Sequence, residues 1–169
     1  MGAAARLVLL WQITADWVCD EDFSTEVLFD DRLVVAAGTR SKWARRRQIA
    51  LSDLQCEPWI LPPTGTVGGL LVAEAFQAMG LKPPRATVAT VSMAMHIHLL
   101  ATGRFLAMLP ASTISLGAKT LPLRALPVAL PEQPRPIIVA TLQNRTLNPA
   151  ARLFIETARA LMRLREIRR

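Results

Sequence analysis

Residues 57–80 read EPWILPPTGTVGGLLVAEAFQAMG and carry the clearest structural signal of the chain. A short apolar run, Trp59-Ile60-Leu61, is followed by a Pro/Gly/Thr loop at 62–66 and by a segment of helical spacing that ends at Gly80. This order predicts a strand, a loop and a helix, with the loop at the carboxyl end of the strand. Open α/β sheets bind small molecules at such loops, because the first N–H groups of a helix have no partner within it.

Strands and helices are predicted to alternate on both sides of this stretch. Apolar or β-branched runs predict strands at 33–37, 59–61, 87–91, 105–109 and 137–142, and residues 27–29 form a further short apolar run. Helical spacing predicts helices at 67–79, at 93–102 and from Asn148-Pro149 onward, while residues 40–47 read as a basic, exposed loop. The alternation predicts an α/β fold with a mostly parallel, twisted sheet covered by helices.

The apolar spacing of two helices predicts which of their faces is buried. In the helix at 67–79 the predicted face is Val67, Leu70, Leu71, Ala75, Ala78 and Met79. In the last helix it is Leu153, Phe154, Thr157, Ala158 and Leu161. Near the start of the chain, residues 6–18 read either as a helix or as a poorly ordered segment, because no apolar period is sustained there.

Composition indicates a globular chain of 169 residues with one domain or two small lobes, since 51% of the residues are hydrophobic and 20% are charged. The two cysteines, Cys19 and Cys56, indicate no disulfide framework and suit a reducing compartment. The apolar run at 7–11 is too short for the core of a signal peptide, and no window reaches the length of a membrane span. We therefore expect a soluble, cytoplasmic protein.

The net charge of +7 is concentrated in two clusters, residues 40–47 and 163–169. Such clusters attract nucleic acid or other polyanions, although they more often form a solvated face. Both interpretations remain open at this point.

Catalytic signatures are weak, because the chain has neither a G-x-S-x-G nor an H-E-x-x-H motif. His96 and His98 lie two residues apart on a predicted helix, so they point to different faces, form no metal pair and are expected to be partly exposed. We predict no enzyme, metal site or cofactor. The hydroxyls and free N–H groups around Thr64, Gly65, Thr66 and Ser92 suit a carboxylate or a sugar, or serve only as turn and capping groups.

Several segments in a fixed order resemble a known family. They are VLFDDRLVV at 27–35, EPWIL at 57–61, MGLKPP at 79–84, LLATG at 99–103 and LAMLP at 106–110. Over residues 22–164 the chain resembles the effector-binding (substrate-binding) domain of LysR-type bacterial transcriptional regulators. The closest likeness is to the branch with sugar- and aromatic-acid-responsive members.

The resemblance implies a fold of the type 2 periplasmic-binding-protein kind, with an effector held between two α/β lobes. Residues 36–136 would form a nearly complete second lobe, residues 22–35 and 137–166 a remnant of the first, and residues 1–21 stay unassigned. The family's effector contacts map to Thr64, Gly65, Thr66 and Ser92, and Pro110 lies near the same cleft.

The chain departs from the family pattern in lacking a winged helix-turn-helix and most of the first lobe. We therefore expect a fragment that senses a sugar or an organic acid, that binds no operator DNA in the family's way, and that forms a homodimer or pairs with related regulators. Two alternatives are a solute-binding protein of the periplasmic type and a basic nucleic-acid-binding fragment.

Overall fold

The chain divides into two units in the computed structural model, which describes residues 7–11, 23–117, 120–131, 135–143 and 146–166. The smaller unit comprises Met1–Asp31 and Pro134–Arg169, and the larger comprises Arg32–Gln133. The predicted lobe boundaries at 35/36 and 136/137 stay a prediction.

The described residues of the larger unit form a five-stranded sheet, three helices and two turns of 3-10 helix. Its strands are β3 (Leu33–Gly38), β4 (Trp59–Leu61), β5 (Ala86–Ala89), β6 (Leu106–Pro110) and β7 (Leu123–Ala125). Its helices are α1 (Val67–Ala78), α2 (Met93–Ala101) and α3 (Ala111–Leu116), and the 3-10 turns are Lys42–Arg45 and Leu51–Leu54.

The sheet of this unit has the strand order β5-β4-β6-β3-β7. The β5–β4 and β4–β6 pairs are parallel, whereas β3 runs antiparallel to both of its neighbours. Four of its five strands thus point in one direction, and only β3 is reversed. The α/β class is confirmed, and the sheet is mixed because β3 enters it from the opposite end.

The core of the larger unit is built around Trp59 and Phe76, both fully buried. Their rings meet edge to face, with centroids 5.6 Å apart and an interplanar angle of 78°. The indole Nε1 of Trp59 donates to the carbonyl of Leu54 at 2.8 Å, so burial leaves this donor satisfied. The strand predicted at Trp59–Leu61 is confirmed, and it is buried throughout.

The helix α1 buries a face that only partly matches the one its apolar spacing predicts, since Leu71 and Ala75 are the members of the predicted set that are buried. Gly69, Leu71, Val72, Ala75 and Phe76 face the core. Of the predicted set, Val67 and Leu70 are 52% and 58% exposed, and Met79 is also exposed. Two apolar stripes of helical spacing run along this helix, and the stripe with the large aromatic ring is the one that packs on the sheet.

Two glycines end the helices of the larger unit. Gly80 and Gly103 have φ angles of 70° and 79°, in the left-handed region that favours glycine. The N–H of Gly80 donates to the carbonyl of Gln77 at 2.8 Å, and that of Gly103 to Leu100 at 2.8 Å. The predicted helix ends are confirmed.

The basic segment at 40–47 is partly ordered, although it was predicted as a loop. It contains the 3-10 turn Lys42–Arg45, with Ser41 as its cap and Ala44 buried beneath it. The Oγ of Ser41 accepts from the N–H of Trp43 at 3.3 Å. The basic side chains of the segment are exposed, as predicted.

In the smaller unit, the part of the chain that the structure describes forms a three-stranded antiparallel sheet with one helix. It contains β1 (Leu7–Trp11), β2 (Phe23–Asp31), β8 (Arg135–Leu142) and α4 (Pro149–Glu166), in the strand order β1-β8-β2. The prediction of a helix across residues 6–18 is wrong for Leu7–Trp11, which pairs with β8. A five-residue apolar run is too short for a stable helix but suffices for a strand. Residues 12–18 lie outside the described residues.

The helix α4 starts as predicted but buries another face. The Oδ1 of Asn148 accepts from the N–H of Ala151 at 2.7 Å, which confirms the N-cap. Ala151 and Ile155 are buried, whereas Leu153 is 64% exposed and Phe154 and Leu161 are also exposed. The predicted face is wrong because a second stripe of helical spacing, which contains Ala151 and Ile155, is the one that packs.

Candidate functional site

Three neighbouring parallel strands, β5, β4 and β6, end on the same edge of the sheet. We call this the carboxyl edge, and it consists of the loop 62–66, the loop 90–92 and the junction of β6 with α3. The N–H of Thr90 donates to the carbonyl of Leu61 at 3.1 Å, which ties the ends of β5 and β4 together. The loops around Thr64 and Ser92 therefore do open side by side, as the parallel arrangement predicts.

Thr66 closes the loop between β4 and α1. Its Oγ1 donates to the carbonyl of Pro63 at 2.7 Å and accepts from the N–H of Gly69 at 3.1 Å. Its own N–H also donates to Pro63, at 3.0 Å. Because the hydroxyl proton is already committed, Thr66 holds the shape of the loop and has little left to offer a ligand as a donor.

Thr64 and Gly65 form the exposed tip of the same loop. No hydrogen bond within the described part of the chain engages the hydroxyl of Thr64. The N–H groups of Val67 and Gly68, in the first turn of α1, have no carbonyl partner among the described residues either. The tip therefore presents one free hydroxyl and two free N–H donors.

Ser92 caps α2 on the neighbouring strand end. Its Oγ accepts from the N–H of Met95 at 3.4 Å, and its N–H donates to the Oγ1 of Thr90 at 3.0 Å. Ser92 is exposed, and its hydroxyl proton stays available. The predicted cap is confirmed, and the residue combines capping with a free donor.

His96 lies under this helix start and is buried, whereas it was predicted to be partly exposed. It is only 4% exposed, and its ring Nδ1 lies 3.0 Å from the carbonyl oxygen of Ser92. As that oxygen is an acceptor, Nδ1 carries the proton in the neutral ring. Sequence reasoning missed this role, although the four-residue spacing from the capping serine is a signal for it. His98 is exposed, as predicted.

Pro110 ends β6 and precedes the short helix α3. It pairs with Leu33 of β3, and the N–H of the next residue, Ala111, donates to the carbonyl of Arg32 at 2.8 Å. Pro110 contributes no polar side-chain group. At the end of β6, its conformationally restricted ring lies on the same edge as the two polar loops.

The electrostatic character of the carboxyl edge comes from the helix starts. The first turns of α1, α2 and α3 contain no acidic residue, so no carboxylate neutralises the positive ends of their dipoles. A bound anion is favoured there over a cation.

A set of exposed apolar side chains flanks the polar loops, although two of them, Val67 and Leu70, were predicted to be buried. It consists of Val67 and Leu70 on α1, Val91 before α2, and Met93 and Met95 on α2. Val91 is 71% exposed, a large fraction for an aliphatic side chain. A ligand that offers an apolar body next to an anionic group therefore has partners for both parts.

Two other kinds of feature are absent from the part of the chain that the structure describes. Its histidines, cysteines and acids form no group of three or more that could hold a metal ion. None of its helices is long and apolar enough to cross a membrane.

Comparisons with known proteins agree with this architecture. The chain is 20% identical to the regulatory domain of CcmR from Synechocystis PCC6803 in complex with 2-PG, covering 92% of this chain and 73% of that chain with a TM-score of 0.68. It is 23% identical to the BenM effector binding domain with its effector benzoate, covering 96% and 71% with a TM-score of 0.64. It is 22% identical to HinK, a LysR family transcriptional regulator from Pseudomonas aeruginosa, with a TM-score of 0.67.

The comparison with HinK covers 92% of this chain but only 52% of the HinK chain. These likenesses show the fold, which is the type 2 periplasmic-binding-like fold that the resemblance implied. No curated protein sequence matches the chain. The family model of the LysR substrate binding domain matches residues 12–163, which is most of the chain. The chain therefore belongs to the LysR substrate-binding domain family.

Proposed function

We propose that the chain senses a small organic acid at the carboxyl edge and serves transcription regulation rather than catalysis. The observation that carries the proposal is the position of two hydroxyl groups, those of Thr64 and Ser92, at neighbouring strand ends. The protons of both hydroxyls are available as donors, and both groups lie at helix starts that contain no acid. Such an edge offers hydrogen-bond donors and a positive potential to a carboxylate or another anionic group.

The exposed apolar side chains at the same edge narrow the class of ligand. Val67, Val91 and Met93 offer contact to an apolar or aromatic body, whereas a sugar would present hydroxyls to them. An aromatic or aliphatic carboxylic acid therefore fits this edge better than a neutral sugar does. The structure of BenM with benzoate concerns an anion of this kind in a related domain.

The residues of the edge divide into two roles under this proposal. Thr64, Gly65 and Ser92 touch the ligand, Gly65 because its exposed tip leaves room for close approach of the backbone. Thr66 shapes the loop, and Pro110 limits the space on the side of β6.

Isothermal titration calorimetry of the full chain tests the proposal with benzoate and other aromatic carboxylates, their methyl esters, and neutral sugars. We expect heat from at least one carboxylate and none from its ester, because the ester lacks the anionic group. Ser92→Ala and Thr64→Ala should each weaken binding about tenfold, the loss expected for one hydrogen bond to a charged group.

Ser52→Ala is the matched control, because Ser52 is an exposed serine on a 3-10 turn away from this edge. It should leave the affinity unchanged. The absence of heat with every acid, or equal losses in the control and in the edge variants, would count against a ligand site here.

A further inference from the structure

The net charge of the protein belongs entirely to its larger unit. The unit Arg32–Gln133 contains eleven lysines and arginines and four acids, whereas the smaller unit contains nine of each. The excess of seven positive charges therefore lies within the roughly 100 residues of this unit. The two charge clusters noted in the sequence did not show that one unit carries the whole net charge.

Much of this excess lines the end of the sheet opposite the carboxyl edge. Residues Arg124, Ala37, Leu106, Trp59 and Ala86 lie in register across the five strands. Beside this row, four strands carry a cation, namely Arg124 in β7, Arg40 after β3, Arg104 before β6 and Arg85 before β5. Lys42, from the 3-10 turn after β3, lies near the start of β4 through its ion pair with Glu57. We call these five residues the basic edge.

The cations of the basic edge are exposed, and they have one acidic partner among the described residues. That partner is Glu57, which accepts from the Nζ of Lys42 at 2.6 Å. Arg40 donates to the carbonyl of Ala101 at the end of α2, at 3.4 Å. The guanidinium groups of Arg85, Arg104 and Arg124 make no ion pair with a described residue.

We propose that the basic edge is a docking surface for the phosphate backbone of a nucleic acid duplex. Five strands at a spacing of about 4.8 Å give a row about 19 Å long. A duplex carries one negative charge per about 1.7 Å of its axis, so the row faces about 11 phosphate charges. Three more exposed arginines, Arg45, Arg46 and Arg47, follow in the turn after Arg40 and extend the positive surface.

The surface chemistry favours a nucleic acid over an acidic protein. Protein interfaces are anchored by buried apolar or aromatic side chains. Of the seven exposed large apolar side chains described in the larger unit, five stand at the carboxyl edge. The other two are Met79, just after α1, and Leu116, at the end of α3. Phosphate recognition needs only cations at suitable spacing, and it reads no base sequence. The basic edge is thus separate from the ligand site and does not depend on it.

Fluorescence anisotropy of the full chain with a labelled 20-base-pair duplex tests this proposal. If about five phosphates are contacted, log K should fall with log salt at a slope of about −4.5, which is a loss of about 500-fold between 50 and 200 mM salt. A second duplex of unrelated sequence should bind with the same affinity. Replacement of three arginines together, Arg85→Gln, Arg104→Gln and Arg124→Gln, should reduce the slope by about 2.7.

The control variant removes the same charge elsewhere, through Arg152→Gln, Arg163→Gln and Arg165→Gln in α4 of the smaller unit. Its slope should stay at the wild-type value, with circular dichroism used to check that both variants keep their helical content. Equal losses in both variants would show that net charge alone drives binding and would overturn the proposal. Salt-independent binding, no binding at 50 mM salt, or tighter binding of poly-L-glutamate than of the duplex would overturn it as well.

Discussion

Gly69→Ala is expected to disturb the loop that presents Thr64, although alanine has a higher helix propensity than glycine and by itself favours α1. A Cβ at position 69 would lie 2.2 Å from the carbonyl oxygen of Pro63 and 2.9 Å from the Cα of Thr64. These are backbone atoms, so the loop itself must move. The N–H of Gly69 is also the donor to Thr66 Oγ1 at 3.1 Å, and the shift strains that cap.

The magnitude follows from three opposing effects. Overpacking costs about 1–3 kcal/mol, and a weakened cap costs up to about 1 kcal/mol. Replacing glycine by alanine within a helix returns about 1 kcal/mol. The free energy of unfolding should therefore fall by up to about 3 kcal/mol, which urea unfolding followed by circular dichroism resolves.

Gly68→Ala is the matched control in the same helical turn. Its Cβ would meet only the ring of Pro62, at 3.1 and 3.3 Å, and that ring can shift by a few tenths of an ångström. This variant should therefore be as stable as the wild type or more stable by up to about 1 kcal/mol. If Gly69→Ala unfolds at the same urea concentration as Gly68→Ala, the loop is not held by this close approach and the reasoning fails.

Two further predictions concern the cores and the pH response. Phe76→Ala should lower the free energy of unfolding by about 3–5 kcal/mol, because the ring is fully buried against Trp59. Phe154→Ala is the control, because Phe154 is 46% exposed, and it should cost less than about 1 kcal/mol in the same urea experiment. Arg159 donates to both carboxylate oxygens of Glu26, and this hydrogen bonding holds the pKa of Glu26 below its ordinary value of 4.5. The stabilisation is thus present above pH 4.5 and is lost as the pH falls through the lower pKa of the folded state. The difference in Tm between wild type and Glu26→Gln should shrink on going from pH 7 to pH 3, and a difference that stays constant would contradict this.

Local patterns in the chain predicted the order of the elements around the candidate site. The strand Trp59–Leu61, the caps at Thr66, Ser92 and Asn148, and the glycine at Gly80 depend on nearest neighbours along the chain. Capping and left-handed helix ends are short-range effects, so residue type and spacing are enough to place them. The sequence also predicted that the loops of Thr64 and Ser92 open on one edge, on the condition that the strands before them are parallel neighbours, which they are.

The buried helix faces could not be predicted in this way. Along α4, Phe154 and Leu161 have helical spacing, but so do Ala151 and Ile155, and the second pair is the one that packs. An alanine-rich helix offers more than one apolar stripe. Which stripe is buried depends on the shape of the surface it meets, and small residues allow closer approach.

By itself the sequence determined the α/β class, the strand–loop–helix at 57–80 and the caps at Ser92 and Asn148, because these rest on short-range periodicity and capping. Only the tertiary structure decided that Leu7–Trp11 is a strand, that His96 is buried beside the carbonyl of Ser92, and that Arg85, Arg104 and Arg124 lie at the same end of the sheet. Strand pairing and burial arise between residues far apart in the chain, such as Ala37 and Arg124, and no local pattern encodes which of them pair.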